Sequence, residues 1–294
     1  MELTLLCILV GLMSKIKVSE LFYSLQGEGM YVGVPSIFLR VFGCNFSCSG
    51  FGMPRGELSQ ERFSVDPSKH SDYKSLPLVH TGCDSYASWD PRFKHLSPFM
   101  HVDDIVTEMQ KLLPEGQFSN DKHLIITGGE PLLGWQRMYP ELLDEIINRH
   151  MHLKHVTFET NGTQFICNEL YDWLYQQSTW IKFTFSVSAK LPCSGEKWEE
   201  AIRPDVVRQY TSIPNNNTYL KFVVATKQDL MDAIVATHEY RDHGVYCPVY
   251  LMPVGGTNET YELNERNVAD FCRDNGFRFS PRIQVPLYKN AWGT

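Results

Sequence analysis

SIFLRVFGCNFSC, residues 36–48, opens the reading of this chain. Ser36–Val41 is a short run of β-branched and aromatic residues, the pattern of a buried strand. Gly43 then allows a tight turn, and Cys44 and Cys48 follow in that turn. Five more such runs recur downstream, at His123–Thr127, His155–Glu159, Ile181–Ser188, Tyr219–Ala225 and Tyr246–Met252. Helical stretches fall between them, at Val102–Leu113, Gln136–Arg149, Asn168–Gln177, Lys227–Tyr240 and Glu259–Asn275. Ile105, Met109 and Leu112, spaced i, i+4, i+7, make one apolar helix stripe. Repeated strand–helix units predict an α/β fold, a parallel sheet with helices outside. About six units predict an incomplete (β/α)6-type barrel rather than a closed eightfold one, with its site at the strand C-termini.

Residues 49–82 break this rhythm. The stretch is Ser-rich, charged and longer than ordinary connections, so it reads as a functional or disordered insertion. Residues 211–217, TSIPNNN, predict a surface turn. The chain has 294 residues, 43% of them apolar, enough for a substantial core. A net charge of −7 with no basic run argues against nucleic-acid binding and favours a small-molecule substrate. The eight cysteines, at 7, 44, 48, 83, 167, 193, 247 and 272, are irregularly spaced. They suit a reducing, cytoplasmic setting better than a secreted disulfide framework. Residues 1–13, MELTLLCILVGLM, are too short to span a bilayer and lack the basic region of a signal peptide. They read as an extension ahead of a natural start at Met13, the alternative being an added strand or helical turn. Residues 14–294 then form one domain, with 49–82 inserted in it.

Cys44 and Cys48 alone fit a buried thiol pair or part of a zinc site. Cys83, in HTGCDSYASW at 80–89, supplies a third thiol. Three thiolates can hold three irons of a cubane iron–sulfur cluster and leave the fourth open to a small ligand. ITGGEP (126–131), ETNGT (159–163) and SVSAK (186–190) each end an expected strand. Gly128 and Gly129 let backbone approach a ligand, although a lone GGEP is equally a strand-to-helix turn. Glu159 and Asn161 offer a carboxylate and an amide, or else an Asx turn. Gln26 and Glu28 in SLQGEG (24–29) can pair with the edge of an aminopyrimidinone ring. Arg40, inside an apolar strand, needs a carboxylate partner, either a ligand's or an internal Glu or Asp.

Taken together, FYSLQGEGMYVGVPSIFLRVFGCNFSC (22–48), CDSYASW (83–89), ITGGEP, ETNGT and SVSAK resemble the radical S-adenosylmethionine (SAM) superfamily. More narrowly, over most of residues 18–255, the chain resembles the 7-carboxy-7-deazaguanine synthase (QueE) family. SLQGEG is the specific part, because radical SAM enzymes in general lack it. The resemblance implies a [4Fe–4S] cluster on Cys44, Cys48 and Cys83. It implies SAM bound by Asp84, Gly128, Gly129, Glu130, Glu159, Asn161, Ser188, Ala189 and Lys190. Mg²⁺ falls to Ser85, where the family has Thr. The pterin substrate falls to Leu25, Gln26, Gly27, Glu28, Arg40 and Thr127. The implied reaction is radical ring contraction of 6-carboxy-5,6,7,8-tetrahydropterin to 7-carboxy-7-deazaguanine, with loss of ammonia. Flavodoxin or ferredoxin would supply electrons, and a homodimer is the common assembly.

The chain departs from the family pattern in one place. The family has Cys-x3-Cys-x2-Cys, and position 51, where the third Cys would fall, is Phe. An insertion of about thirty residues displaces the third element to Cys83, with His70 and His80 as competing ligands. It also leaves Gly82 where the family packs an apolar group on adenine. The rival readings are a glycyl-radical activase, which would lack LQGEG, and a non-catalytic zinc module on the three cysteines and a His.

Overall fold

The computed structural model describes residues 15–119, 121–255 and 263–294. The expected 1–13 extension lies outside these, as does 256–262, in which the last expected helix begins. The strands are β1 (Lys15–Leu25), β2 (Pro35–Val41), β3 (Phe99–His101), β4 (His123–Gly128), β5 (His155–Thr160), β6 (Lys182–Val187), β7 (Asn217–Val224), β8 (Val249–Pro253) and β9 (Arg278–Phe279). They form one open sheet in the order β3-β1-β2-β4-β5-β6-β7-β8-β9. From β2 through β4 to β9 neighbouring strands are parallel, while β1 runs antiparallel to β2 and β3. This is the expected incomplete barrel with an antiparallel edge added. The helices are α1 (Val102–Leu112), α2 (Tyr139–Asn148), α3 (Asn168–Gln177), α4 (Trp198–Ala201), α5 (Pro204–Thr211), α6 (Lys227–Asp242), α7 (Glu265–Asn275) and α8 (Gln284–Tyr288).

Alternation along the strands separates two faces. Leu39, Ile126, Phe158, Phe185, Phe222 and Leu251 share one core with helix residues Ile105, Leu142, Leu170, Val207, Ala233 and Val268. Each such side chain contributes about 1.5–3 kcal/mol when fully buried. The opposite face is thereby free to carry polar groups. There Arg40 registers with Thr127 and Glu159 with Ser186, both near strand C-termini. Beneath them Phe22 and Phe38 stack at 4.8 Å and cluster with Ile125.

The SLQGEG segment closes β1 with Ser24 and Leu25 and continues along the pocket wall. At the N-terminal ends of the strands, Tyr31 meets His123 edge-on at 4.5 Å, and His123 stacks on His155 at 4.3 Å. Asn217 Nδ2 donates to the Tyr31 hydroxyl at 2.8 Å. Gly29 is required by this packing, because a Cβ there would lie 2.3 Å from the Tyr219 hydroxyl.

Residues 49–82 fold into short turns at Glu61–Ser64, Pro67–Lys69 and Tyr73–Ser75. Val65, Tyr73 and Leu76 from this segment form a second small core with Tyr86, Phe93 and Leu96, against which Trp292 packs. The segment leaves and returns at one point, where Gly82 N donates to Phe51 O at 2.5 Å. Among the described residues, no helix is long and apolar enough to cross a membrane.

Candidate active site

A pocket of about 290 Å³ lies inside the sheet. Its wall includes Leu25, Gln26, Gly27, Glu28, Arg40, Cys44, Cys48, Cys83, Asp84, Ser85, Thr127, Gly128, Gly129, Glu159, Asn161, Ser188 and Lys190. Every site residue expected from sequence is there except Glu130 and Ala189, which are buried behind the wall.

Cys44, Cys48 and Cys83 come together with Phe46, Phe51 and Ala201. Phe51, in the family's usual cysteine position, packs beside the thiols, and the closed insertion delivers Cys83 alongside it. Burial pushes the Cys44 thiol up to about 12 and raises Cys48 and Cys83 as well. The ammonium of Lys190 opposes these shifts at all three. The Trp89 indole N–H is buried beside Cys83 without a full hydrogen bond, and its approach to that sulfur partly offsets the upward shift of the thiol. Among the described residues, no three His, Cys, Asp or Glu side chains gather closely enough to share one metal ion. His80 reaches the pocket wall and His70 does not.

The glycines of ITGGEP serve the protein's own packing. A Cβ on Gly129 would lie 2.4 Å from Gly43 O and 2.7 Å from Cys44 Cβ. One on Gly128 would lie 2.3 Å from Val41 O. The pair thus lets the end of β4 press against the cysteine turn. Asn161 is likewise engaged internally. Its Oδ1 accepts from Thr163 N at 3.1 Å, an Asx turn, and its Nδ2 donates to Asn45 Oδ1 at 2.8 Å. Gln26 Nε2 donates to Glu159 Oε1 at 2.9 Å, and Lys190 donates to the Ser188 hydroxyl at 2.9 Å.

Arg40 has the internal partner that sequence reasoning kept open. Its Nε pairs with Glu20 at 2.9 Å, while Nη1 reaches the Ser85 hydroxyl at 3.3 Å. The guanidinium therefore still presents its outer edge to the pocket.

Sequence reasoning missed Lys221 and Arg282. Glu28 pairs with Lys221, with Arg282 at 3.0 Å, and with Gln284 Nε2 at 2.9 Å. Arg282 also holds Asp84 at 2.6 Å. Burial opposes ionisation of Glu28, but Lys221 and Arg282 overcome it and hold the carboxyl below its usual range. Asp84 is lowered by Arg282 in the same way. The terminal segment 280–294 folds over the site. Arg282, Gln284 and 290–294 all line the pocket.

Arg282→Met is expected to cost about 2 kcal/mol at pH 7, below the range for a wholly buried pair, because Lys221 still holds Glu28. Both carboxyls are depressed in the folded protein, so their contribution is present above about pH 4.5 and fades as pH falls. The gap in melting temperature between Arg282→Met and wild type should therefore narrow from pH 7 to pH 4. An unchanged gap would mean that Arg282 acts through packing alone.

No family model matches the chain. A curated 7-carboxy-7-deazaguanine synthase of Halobacterium salinarum is 30% identical over 282 residues, covering 93% of this chain and 91% of the relative. Its counterpart from Pyrobaculum aerophilum is 28% identical over 282 residues, covering 95% and 97%. The crystal structure of QueE from Escherichia coli superposes with a TM-score of 0.52 at 18% identity, covering 90% of this chain and 93% of that one. That likeness concerns the fold.

Proposed function

The chain belongs to the 7-carboxy-7-deazaguanine synthase family, and we propose that this pocket contracts 6-carboxy-5,6,7,8-tetrahydropterin to 7-carboxy-7-deazaguanine with loss of ammonia. The observation that carries the reading is the meeting of three thiols with the SLQGEG, GGEP and ETNGT segments in one pocket.

The donor set fits a [4Fe–4S] cluster. Three cysteines face one cavity. As free thiols they keep their protons, and bound cationic iron would draw those protons off. The Trp89 indole supplies an N–H beside the Cys83 sulfur. When bound, the cluster and SAM supply the one-electron chemistry that removes a hydrogen atom from the substrate.

The chain's own residues do the rest. Lys190 and Ser188 offer a cation and a hydroxyl for the SAM carboxylate. Backbone at Gly128 and Gly129, with Glu159, faces its amino and ribose groups. Phe51, with the Lys190 ammonium 5.9 Å from its ring centre, stands where Gly82 leaves no side chain to pack on adenine. Gln26, Glu28 and Thr127 present hydrogen-bonding groups to the pterin edge. Glu28 stays ionised because Lys221 and Arg282 flank it. Arg40 would take the substrate carboxylate beside a Mg²⁺ held by the Ser85 hydroxyl, a hard donor for a hard cation. Flavodoxin or ferredoxin would deliver electrons in a cytoplasmic setting.

Arg40→Lys keeps a charge for Glu20 but loses the planar fork, so the substrate KM should rise about tenfold with a smaller change in kcat. An unchanged KM would leave Arg40 as the structural partner of Glu20 only.

One anaerobic assay tests the whole reading. The protein is reconstituted with iron and sulfide, then given SAM, dithionite, Mg²⁺ and 6-carboxytetrahydropterin. Mass spectrometry should find 7-carboxy-7-deazaguanine. 5′-Deoxyadenosine without that product would overturn the substrate assignment, and neither compound from a fully loaded protein would overturn the enzyme assignment.

A further inference from the structure

We propose that Glu196 is a positioning residue that holds Cys48 in the orientation needed to ligate the cluster. The inference rests on the reading of Cys44, Cys48 and Cys83 as cluster ligands. Glu196 belongs to no motif of the sequence. It lies beyond β6, six residues past Lys190, in the loop that leads to α4.

One carboxylate oxygen of Glu196 gathers the cysteine turn. Its Oε1 accepts from Cys48 N at 2.7 Å, from Ser47 N at 2.9 Å and from the Ser47 hydroxyl at 3.3 Å. Cys48 has a φ of +47°, in the left-handed region that non-glycine residues rarely occupy. Successive N–H groups in such a turn point toward one side and form a concavity for an anion. Here the anion comes from the chain itself. Without it the Cys48 N–H and the half-buried Ser47 N–H would lose their acceptor, and the left-handed backbone of Cys48 would lose its main support.

The carboxylate is itself fixed. Gly50 N donates to Ser194 O at 2.8 Å, and Glu196 N donates to the Ser194 hydroxyl at 3.2 Å. A Cβ on Gly50 would lie 2.5 Å from Gly195 N, so the two loops touch backbone to backbone. The Ser47 hydroxyl also receives a bond from the Ser49 hydroxyl at 3.2 Å, which in turn accepts from Arg62 Nη1 at 3.0 Å. Arg62 belongs to the insertion that delivers Cys83. Glu196 thus sits where the two halves of the divided cysteine motif meet. Its negative charge next to Cys48 would also oppose an added electron on the cluster, since nearby charge helps to set cluster potential.

The test compares Glu196→Ala and Glu196→Gln with wild type after anaerobic reconstitution. The readouts are iron loss to a chelator, the midpoint potential followed by electron paramagnetic resonance, and circular dichroism as a folding control. Glu196→Ala should lose iron several-fold faster than wild type. Glu196→Gln keeps an acceptor oxygen without the charge, so it should restore most of the retention while its midpoint potential shifts positive. A folded Glu196→Ala that holds iron as long as wild type would overturn the proposal. If Glu196→Ala does not fold, an unshifted potential in Glu196→Gln would overturn it instead. Wild-type protein that takes up no cluster would overturn the underlying site reading, a result distinct from either.

Discussion

Cys83→Ala is expected to abolish cluster assembly and turnover, while His70→Ala and His80→Ala leave the cluster in place. The expectation follows from how the insertion closes. Phe51 O and Gly82 N are joined by a 2.5 Å hydrogen bond, so the chain resumes where it left off and Cys83 lies beside Phe51. Glu61 reinforces the return, accepting from His80 N at 2.9 Å and from Thr81 N at 2.8 Å. His80 stays exposed to solvent, while Cys83 packs with Cys44 and Cys48. Loss of supporting groups around a metal already costs about 10–100-fold, so loss of a ligand should exceed about 100-fold in turnover. Iron and sulfide content with visible absorbance, measured after anaerobic reconstitution, decide the matter. A fully loaded, active Cys83→Ala would remove Cys83 from the ligand set, and loss of the cluster in His80→Ala would put the imidazole there.

Much of the fold can be read locally, and β1 shows where local reading stops. Ile16 and Val18 face the main core, but after Ser19 it is Leu21 and Tyr23 that pack toward it. The register shifts between Val18 and Glu20, so a bulge reverses the alternation within one strand. A period-two search cannot follow a strand that changes phase, and the sequence pattern accordingly begins only at β2. Asn168–Gln177 poses no such problem: the expected helix and α3 coincide. The site divides in the same way. The cysteines and glycine turns announce themselves by residue type and strand-end position. Lys221 and Arg282 do not, because each gains meaning only from Glu28, 193 and 254 residues away in sequence. The glycines of ITGGEP were legible as a tight approach, but what they approach is the Cys44 turn.

Glu130 is expected to act as a buried clasp, and its loss should be among the most destabilising single changes in the protein. Its side chain has no exposure to solvent. Oε1 accepts from Thr160 Oγ1 at 2.7 Å and Leu132 N at 3.0 Å, Oε2 accepts from Asn161 N at 2.6 Å, and Glu130 N donates to Gly43 O at 2.7 Å. The residue therefore ties the ends of β4 and β5 to the cysteine turn. Glu130→Ala would strand three buried donors, a loss of about 3–5 kcal/mol, or roughly 10 °C in melting temperature. Burial pushes the carboxyl up to about 7, against the pull of its three donors and Lys190. A folded-state value above the ordinary 4.5 fixes the sign: the proton-linked stability is complete below pH 4.5 and is lost as pH rises to about 7. The loss over that window is at most about 3 kcal/mol. His123 and His155 are lowered by burial and drift the other way, so absolute stability mixes opposing slopes. The difference between wild type and Glu130→Gln removes them, since both proteins share those histidines. Wild type should exceed Glu130→Gln by more at pH 5 than at pH 7, measured by denaturant unfolding of the cluster-free proteins. A constant difference would mean that Glu130 stays ionised throughout, its three donors outweighing burial.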